Sequence, residues 1–204
     1  MHQFTSTLSV TEAAESRRSI RTFTPEPVPR ADVLEILRIA GLAPSANNLQ
    51  PWRFVVVRDP ALKERLAEAA YGQRQVRSAP AIIVLYSDMA DTLANVEETV
   101  HPGMRARLDQ VASGLRSTWA GKEAAEREQF GAGQSYIALG FLLLAAQSMG
   151  YGTSPMLGFD AARVRSLLGL PDHVAIPAVV AIGVPAEEGF PHHRHGPERI
   201  ATFR

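Results

Sequence analysis

The order of apolar and polar positions along the chain predicts a mixture of helices and short buried strands. Capping residues followed by apolar positions three and four apart predict helices, which cover about residues 10–18, 30–42, 60–71 and 161–168. Continuous apolar runs bounded by turn residues predict buried strands, which cover about residues 54–57, 81–86 and 178–184.

A further helix is predicted over residues 134–149, which are almost wholly apolar. A helix that is apolar on all sides is buried on all sides. Since a small protein has little interior for such a helix, we expect it in a subunit interface or in the central core. Its most apolar run, Ile137 to Ala146, is about ten residues long, half of what a bilayer-spanning helix needs. No membrane partner is therefore predicted.

The stretch from about residue 90 to 130 is polar and charged, and it is interrupted by proline and glycine. Both residue types break helices, so we predict a broken or mobile helical excursion rather than one rod. The 204 residues otherwise fit a single domain over 1–204, since a chain of this length buries enough surface to hold a core unaided.

Composition excludes several classes of function. The 21 Lys and Arg residues balance the 21 Asp and Glu residues, so no excess positive charge favours nucleic acid as a partner. The absence of cysteine excludes disulfides, thiolate metal sites and cysteine nucleophiles. Residues 1–16 lack the features of a targeting segment, and we expect a cytoplasmic protein.

Sequence motifs for phosphate-binding loops, serine nucleophiles and zinc proteases are also absent. Three histidines, His192, His193 and His195, cluster near the C-terminus. They have no carboxylate or cysteine neighbours there, so a solvated or anion-contacting tail is favoured over a metal site. We predict no bound metal.

A basic segment near the N-terminus is the first candidate for chemistry. Arg17, Arg18 and Arg21 fall within five residues, with Ser19 between them. Guanidinium groups bind phosphate oxygens bidentately, and a hydroxyl adds a further donor. The alternative is a solvated basic surface at a helix end, where the helix dipole favours cations.

Two loops are further candidates. Residues 43–52 combine small and amide side chains before a proline–tryptophan step, which would let a flat ligand approach the backbone; the alternative is a helix-to-strand connector. Residues 150–160 follow the apolar helix, and their backbone N–H groups would point at an acceptor atom. The alternative there is a plain turn.

Together these segments resemble the nitroreductase family of FMN-dependent oxidoreductases. The resemblance rests on the order and spacing of residues 17–23, 43–54 and 155–160, and it spans about residues 10–200. It implies an α+β fold with a central, mostly antiparallel sheet flanked by helices. It also implies an intertwined homodimer with FMN at the subunit interface.

The resemblance further implies which residues bind the cofactor. Arg17, Arg18 and Ser19 would contact the phosphate or ribityl chain, and Arg21 would lie near the flavin N1/O2 edge. The partner subunit would line the other side of the flavin with four loop residues: Pro44, Ser45, Ala46 and Asn48. Gln73 or Gln75 would bind the pyrimidine ring, and the loop behind the flavin would contain Pro155, Met156, Leu157 and Gly158.

Other assignments are less direct. Arg194 is the candidate for the basic residue that completes the phosphate site. Trp119 and Phe130 would line the substrate channel, or they would be core residues. The best-known branch of the family has a glutamate at the position of Leu157, so the preference for the hydride donor could differ here.

The implied activity passes two electrons from NADH or NADPH, through flavin N5, to nitroaromatic or quinone-like acceptors by a ping-pong mechanism. The cofactor carries this chemistry, so no side chain is assigned as a catalytic residue. One alternative is a family member that fragments flavin or removes halogen from its substrate, because fold does not determine reaction. The other is a non-enzymatic dimer whose arginines bind a regulatory anion.

Overall fold

The structure, a computed structural model, describes residues 8–204. Nine helices lie in this range: α1 (Val10–Ser16), α2 (Arg30–Ala40), α3 (Pro60–Ala69), α4 (Arg74–Ser78), α5 (Met89–Ala94), α6 (Leu108–Ala120), α7 (Ala124–Ser148), α8 (Ala161–Leu168) and α9 (Pro197–Ile200). The strands described are β1 (Trp52–Val57), β2 (Ala81–Ser87), β3 (Gly152–Met156) and β4 (Ala175–Gly183). The expectation about a targeting segment falls partly on residues 1–7, which lie outside the described residues.

The four strands form one sheet in the order β1-β2-β4-β3, and every neighbouring pair is antiparallel. The sheet is buried on both faces. Ile83 and Leu85 of β2 face a core that α2 and α7 complete, whereas Ile82 and Val84 belong to a second core on the other face. Burial on both faces explains why β2 and β4 are continuous apolar runs. The predicted antiparallel sheet flanked by helices is confirmed.

The helix boundaries follow the capping signals in the sequence. Ser9 and Glu12 form both bonds of the predicted capping box at the start of α1. Asp59 and Asp160 accept backbone N–H bonds at the starts of α3 and α8. Gly169 ends α8 in the left-handed conformation, with φ of 63°, which glycine adopts without the Cβ penalty.

Helix α7 is longer than predicted, since it begins at Ala124 rather than near Gln134. It contacts all four strands and the helices α1, α2 and α5, so it is the central helix of the described fold. Among the described helices it alone has the length and apolar composition to cross a membrane. That composition also suits a core helix, and the cytoplasmic location stays a prediction.

Burial on all sides of α7 is not observed within one chain. Tyr136, Ile137 and Phe141 are 43%, 39% and 38% exposed, respectively. Tyr136 still reaches the sheet, because its hydroxyl donates to Pro177 O of β4 at 3.1 Å, whereas Ile137 and Phe141 leave apolar surface exposed. The location of this apolar surface in a subunit interface stays a prediction.

Three described elements were missed by the sequence analysis: β3, α4 and the four-residue helix α9. Residues 152–156 were expected to be part of a loop, but they form the edge strand β3 against β4. Their small and polar side chains carry no alternating pattern, and tertiary pairing decides their conformation. The five-residue helix α4 was too short to produce a helical period.

The stretch from 90 to 130 contains helical pieces separated by turns. It comprises part of α5, α6, the start of α7 and short 3-10 helices over Val96–Thr99 and Pro102–Arg107. Six side chains of this region and its neighbours form a hydrophobic cluster of their own: Leu49, Met89, Leu93, Val96, Ala112 and Trp119.

Candidate functional site

The basic segment runs as an extended chain beside the edge strand β3. Helix α1 ends at Ser16, and Ser19 then pairs with Thr153 in a parallel bridge. Ile20 N donates to Thr153 O at 3.0 Å. Arg17 is the C-terminal cap of α1, and Arg18 Nη1 donates to Glu15 O at 2.7 Å, so the negative end of the helix dipole favours part of this positive charge. The pairing with β3 determines the direction of the chain beyond the helix.

The C-terminal tail covers the other side of the same segment. Ala186 N donates to Thr22 O at 2.9 Å, and Phe23 pairs with Pro185. Together the segment and the tail enclose a cavity of about 160 Å³. Its lining residues are Arg17, Arg18, Ser19, Arg21, Phe190, Pro191, His192 and Arg194. The structure thus brings the four predicted arginines and Ser19 together from opposite ends of the chain.

Arg17 is the residue whose environment indicates a missing ligand. Its side chain is half-buried, and Nη1 is buried with no hydrogen-bond partner among residues 8–204. Burial, together with the charges of Arg194 and Arg18, lowers the pKa of Arg17. A buried donor without an acceptor is costly, and guanidinium groups this close repel one another. An anion in the cavity would relieve both costs.

The tail is attached to the basic segment by Glu187. Its carboxylate accepts from Arg21 N at 2.6 Å and from Thr22 Oγ1 at 3.0 Å, and it lies 3.4 Å from Arg74 Nη2. Two residues later, Gly189 has φ of 71°, and a Cβ there would lie 2.9 Å from Arg18 Cβ. This tight passage needs glycine.

The second part of the candidate site lies at the end of β3. Pro155 and Met156 belong to the strand, so the predicted loop begins only at Leu157, which is 67% exposed. Gln73 Nε2 donates to Gly158 O at 2.6 Å. Gln75 is buried, and its Nε2 donates to Gln73 Oε1 at 2.8 Å. Gln73 is therefore the amide that reaches this loop directly.

The loop over residues 44–50 does not join this cavity within one chain, since the cavity lining includes none of Pro44, Ser45, Ala46 and Asn48. It is held elsewhere. Ala46 N donates to Gln134 Oε1 at 2.8 Å, and Asn48 Nδ2 donates to Thr99 O at 2.7 Å.

The same loop carries unusual backbone strain. Asn47, Asn48 and Gln50 have φ of 52°, 56° and 46°. These values lie in the left-handed region, which residues other than glycine rarely adopt. Ser45 Oγ stabilises the loop by accepting from Gln50 N at 3.0 Å. Strain of this kind is typical of ligand-binding segments.

Trp119 and Phe130 contact each other, with ring centroids 4.6 Å apart. Trp119 is only 7% exposed and belongs to the hydrophobic cluster around Met89. Its Nε1 is buried, and the described residues offer it no hydrogen-bond partner. The structure therefore gives both residues a core role within one chain, and their role in a substrate channel stays a prediction.

One group of possible metal ligands appears in residues 8–204, and it does not include the histidines of the tail. Asp88, Glu128 and His173 place ligand atoms within 4.8 Å of one another. Glu128 already accepts from Ser87 Oγ and Met89 N, each at 2.7 Å. His173 Nε2 lies 3.1 Å from Asp88 Oδ1. These contacts explain the group as a structural link between β2, α7 and the loop before β4.

Sequence reasoning missed Glu187, Gly189, Phe190 and Pro191 as neighbours of the arginines. The tail has no periodic pattern, and its contacts lie more than 160 residues away in sequence for Arg21 and Thr22. The glycine after two glutamates was the only available signal, and it is weak.

The sequence over residues 14–184 matches the family model described as "Nitroreductase family". The chain belongs to the nitroreductase family. The match covers the basic segment, the strained loop and all four strands, so the predicted family is confirmed.

Similar proteins agree with this assignment. A Thermus thermophilus protein named NADH dehydrogenase is 50% identical over 198 residues, which are 97% of each chain. Bacillus subtilis YdgI, assigned as an NAD(P)H nitroreductase, is 32% identical, covering 95% of this chain and 96% of the other. An Exiguobacterium sibiricum protein, assigned as a nitroreductase and solved in complex with FMN, has a TM-score of 0.87 at 26% identity, with 99% and 100% covered.

Proposed function

We propose that this nitroreductase-family protein is an FMN-dependent oxidoreductase that uses NADH or NADPH to reduce nitroaromatic or quinone-like acceptors. The observation that carries the proposal is the buried Nη1 of Arg17, which has no hydrogen-bond partner in the described part of the chain and lies in a cavity lined by further arginines. The relatives named as NADH dehydrogenase and NAD(P)H nitroreductase support the donor. The FMN in the Exiguobacterium sibiricum structure supports the cofactor.

The residues present fit a phosphate-bearing cofactor. Arg17, Arg18 and Arg194 would hold the phosphate, and Ser19 would add a hydroxyl donor. Arg21 donates a long bond of 3.4 Å to Ser19 O, so its guanidinium keeps N–H groups for a ligand. A cation at that position would stabilise negative charge that develops in the cofactor on reduction.

The end of β3 would provide the second half of the cofactor site. We propose that the backbone N–H groups of Leu157 and Gly158 donate to the ring system, and that Gln73 orients this loop through Gly158 O. Pro155 and Met156 would support the loop from the strand. Gln75 would act indirectly, by fixing the amide of Gln73.

We also propose that the site is completed by a second copy of the chain. Pro44, Ser45, Ala46 and Asn48 would reach it from the partner subunit, since within one chain they lie outside the arginine-lined cavity. The exposed apolar face of α7 supports this homodimer, because large apolar side chains on one helix face are typical of an interface. The strained backbone of the loop suits a preorganised wall.

The chemistry supplied by FMN, when it is bound, is the acceptance of two electrons with a hydride from NAD(P)H and their transfer to an acceptor. The protein's part is to bind and orient: arginines neutralise the phosphate, the β3 loop donates hydrogen bonds, and the partner's loop limits access of water. We propose one surface that donor and acceptor occupy in turn. Double-reciprocal plots of initial rate against donor concentration, at several acceptor concentrations, should therefore give parallel lines, as expected for ping-pong kinetics.

The test is spectroscopic. Purified protein, reconstituted with FMN and freed of excess ligand, should show a flavin absorbance band in a ratio of one FMN to one chain. Under argon, NADH or NADPH should bleach this band, and a quinone should restore it. Protein that gains no band with FMN would overturn the proposal, and a band that neither nicotinamide bleaches would overturn the donor.

A further inference from the structure

An acidic residue, Glu187, contacts the basic segment beside the arginine cluster, and its location is unexpected. On charge alone, a carboxylate beside an anion site weakens binding of the anion, because like charges repel. Glu187 nevertheless points its carboxylate at the basic segment and is 29% exposed. Its role therefore needs a geometric explanation.

The contacts of Glu187 join three separate parts of the chain. One carboxylate oxygen accepts from Arg21 N at 2.6 Å, and the other accepts from Thr22 Oγ1 at 3.0 Å and lies 3.4 Å from Arg74 Nη2. The basic segment, the start of α4 and the C-terminal tail thus meet at one side chain. The hydrogen bond from Arg21 N, followed by those of Thr22 and the charge of Arg74, lowers the pKa of Glu187, so the carboxylate stays ionised.

The tail after Glu187 forms one wall of the arginine-lined cavity. Gly189 passes against Arg18, and the next residues lead to His192, whose Nε2 lies 3.2 Å from Ala14 O. Arg194 then lines the cavity close enough to lower the pKa of Arg17. Two repelling guanidinium groups do not stay together unless the backbone that carries them is fixed. Glu187 adds two side-chain hydrogen bonds to the backbone bond from Ala186 N to Thr22 O, and its bonds are the side-chain contacts that hold the tail to residues 21 and 22.

We propose that Glu187 is a positioning residue for the anion site: it holds the tail against residues 17–22, so that Arg194 faces Arg17 and both can bind the cofactor's phosphate. The inference rests on the proposed function, and it names the residue that assembles the site rather than one that contacts the ligand. It makes a prediction opposite in sign to that of charge alone.

The experiment measures the FMN dissociation constant of the full chain by quenching of flavin fluorescence. Glu187→Ala removes both acceptors, so the dissociation constant should rise about tenfold or more, as expected for loss of hydrogen bonds to a charged group. In Glu187→Gln the amide oxygen keeps one acceptor, and a smaller rise of about threefold is expected. Partial rescue by glutamine indicates positioning, because glutamine restores shape but not charge.

The matched control is Glu188→Ala, which removes the same charge one residue away. Glu188 is exposed, and no hydrogen bond or ion pair of its side chain is found among residues 8–204. The FMN dissociation constant of Glu188→Ala should stay within about twofold of the wild-type value, since surface charges are screened by salt. If charge alone mattered, all three variants would bind FMN more tightly. Unchanged or tighter binding by Glu187→Ala would overturn the inference.

A second measurement does not depend on the flavin. Hydrogen–deuterium exchange of peptides covering residues 186–196 in the FMN-free protein should be faster in both Glu187 variants than in Glu188→Ala. If Glu187→Ala does not fold, Glu187→Gln supplies both readouts. If wild type binds no FMN, the proposed cofactor is wrong, while equal exchange rates in all variants would refute the anchor itself.

Discussion

The half-buried guanidinium of Arg17 has one nitrogen that is removed from water and finds no acceptor within residues 8–204. The chain holds Arg18 and Arg194 near it, although their charges repel. Such an arrangement destabilises the ligand-free protein. An anion that pairs with these guanidinium groups would remove the penalty, and this relief would contribute to the free energy of binding. A single side chain thus links the fold to the ligand.

We predict that Arg17→Ala weakens FMN binding by about 10- to 100-fold, the range expected for loss of a charge-assisted hydrogen bond. Equilibrium titration of flavin fluorescence measures the effect. Arg65→Ala, which removes an exposed arginine on α3, is the control and should bind FMN as wild type does. Equal affinities of the two variants would contradict the assigned role of Arg17.

Glu128 gives a prediction about pH. Burial raises the pKa of Glu128, with a contribution from Asp88, although hydrogen bonds from Ser87 and Met89 oppose the rise. A raised pKa means that the folded state keeps a proton that the unfolded state releases. The stability contributed by protonated Glu128 is therefore present below the ordinary value of 4.5 and is lost as pH rises through the raised pKa.

Glu128→Gln should remove this dependence, because an amide resembles the protonated acid: its Nε2 can donate to Ser87 Oγ and its oxygen can accept from Met89 N. Urea unfolding at several pH values measures the free energy of unfolding of both proteins. The stability of wild type relative to the variant should fall as pH rises from about 4.5 towards 7. A difference that does not change with pH would show that the carboxyl does not titrate in this range.

At the scale of elements, the capping residues Ser9, Asp59 and Asp160 predicted three helix starts correctly, because a cap is a local interaction. Strand β3 escaped prediction, because it is decided by pairing with β4. The start of α7 was also misplaced. Its first two turns are polar and small residues whose position is determined by contact with β2, through Glu128 and Gly131.

Glycine at position 131 is required by that contact. A Cβ there would lie 2.1 Å from Ser87 Oγ and 2.8 Å from Met89 Cγ. We predict that Gly131→Ala lowers the free energy of unfolding by about 1–3 kcal/mol, since overpacking outweighs the gain in helix propensity. Chemical denaturation of the FMN-free protein measures the change.

The control lies inside another helix, α6. Gly114 is exposed, and a Cβ there meets nothing within 4 Å. Gly114→Ala should stabilise the protein by about 0.5–1 kcal/mol, because alanine loses less backbone entropy in a helix. If Gly131→Ala stabilised the protein as well, the close approach of α7 to β2 would not exist in solution.

At the scale of the whole molecule, the apolar face of α7 stays partly exposed in the structure of residues 8–204. Phe141 and Leu144 line a cavity of about 330 Å³, together with Leu8, Val10 and Ile39 from neighbouring elements. A second copy placed there would bury this surface, and it would bring the loop over residues 44–48 to a neighbouring cofactor site. Dimerisation and cofactor binding should therefore depend on one another.

We predict that Phe141→Glu shifts the protein from dimer to monomer and weakens FMN binding, because a charge in an apolar interface is costly. Light scattering after gel filtration measures the mass, and fluorescence titration measures the affinity. Phe141→Leu keeps the apolar surface and should remain dimeric. A Phe141→Glu dimer that binds FMN normally would place the interface elsewhere.

The sequence by itself determined the family and the starts of four helices, α1, α2, α3 and α8, and it predicted the residues of the candidate site. Arginines, amides and capping residues act locally or in ordered motifs. Such patterns can be recognised from the amino-acid sequence. It also predicted three of the four strands, because burial on both faces leaves a continuous apolar run in β2 and β4, and a shorter run in β1.

Only the tertiary structure decided which distant residues meet. Arg194 reaches Arg17 because Glu187 ties the tail to the basic segment and Gly189 lets it pass Arg18. Residues 152–156 form the edge strand β3 because they pair with the backbone of β4. Contacts between residues far apart in sequence leave no local period, and the energy that favours them arises only when the chain has folded.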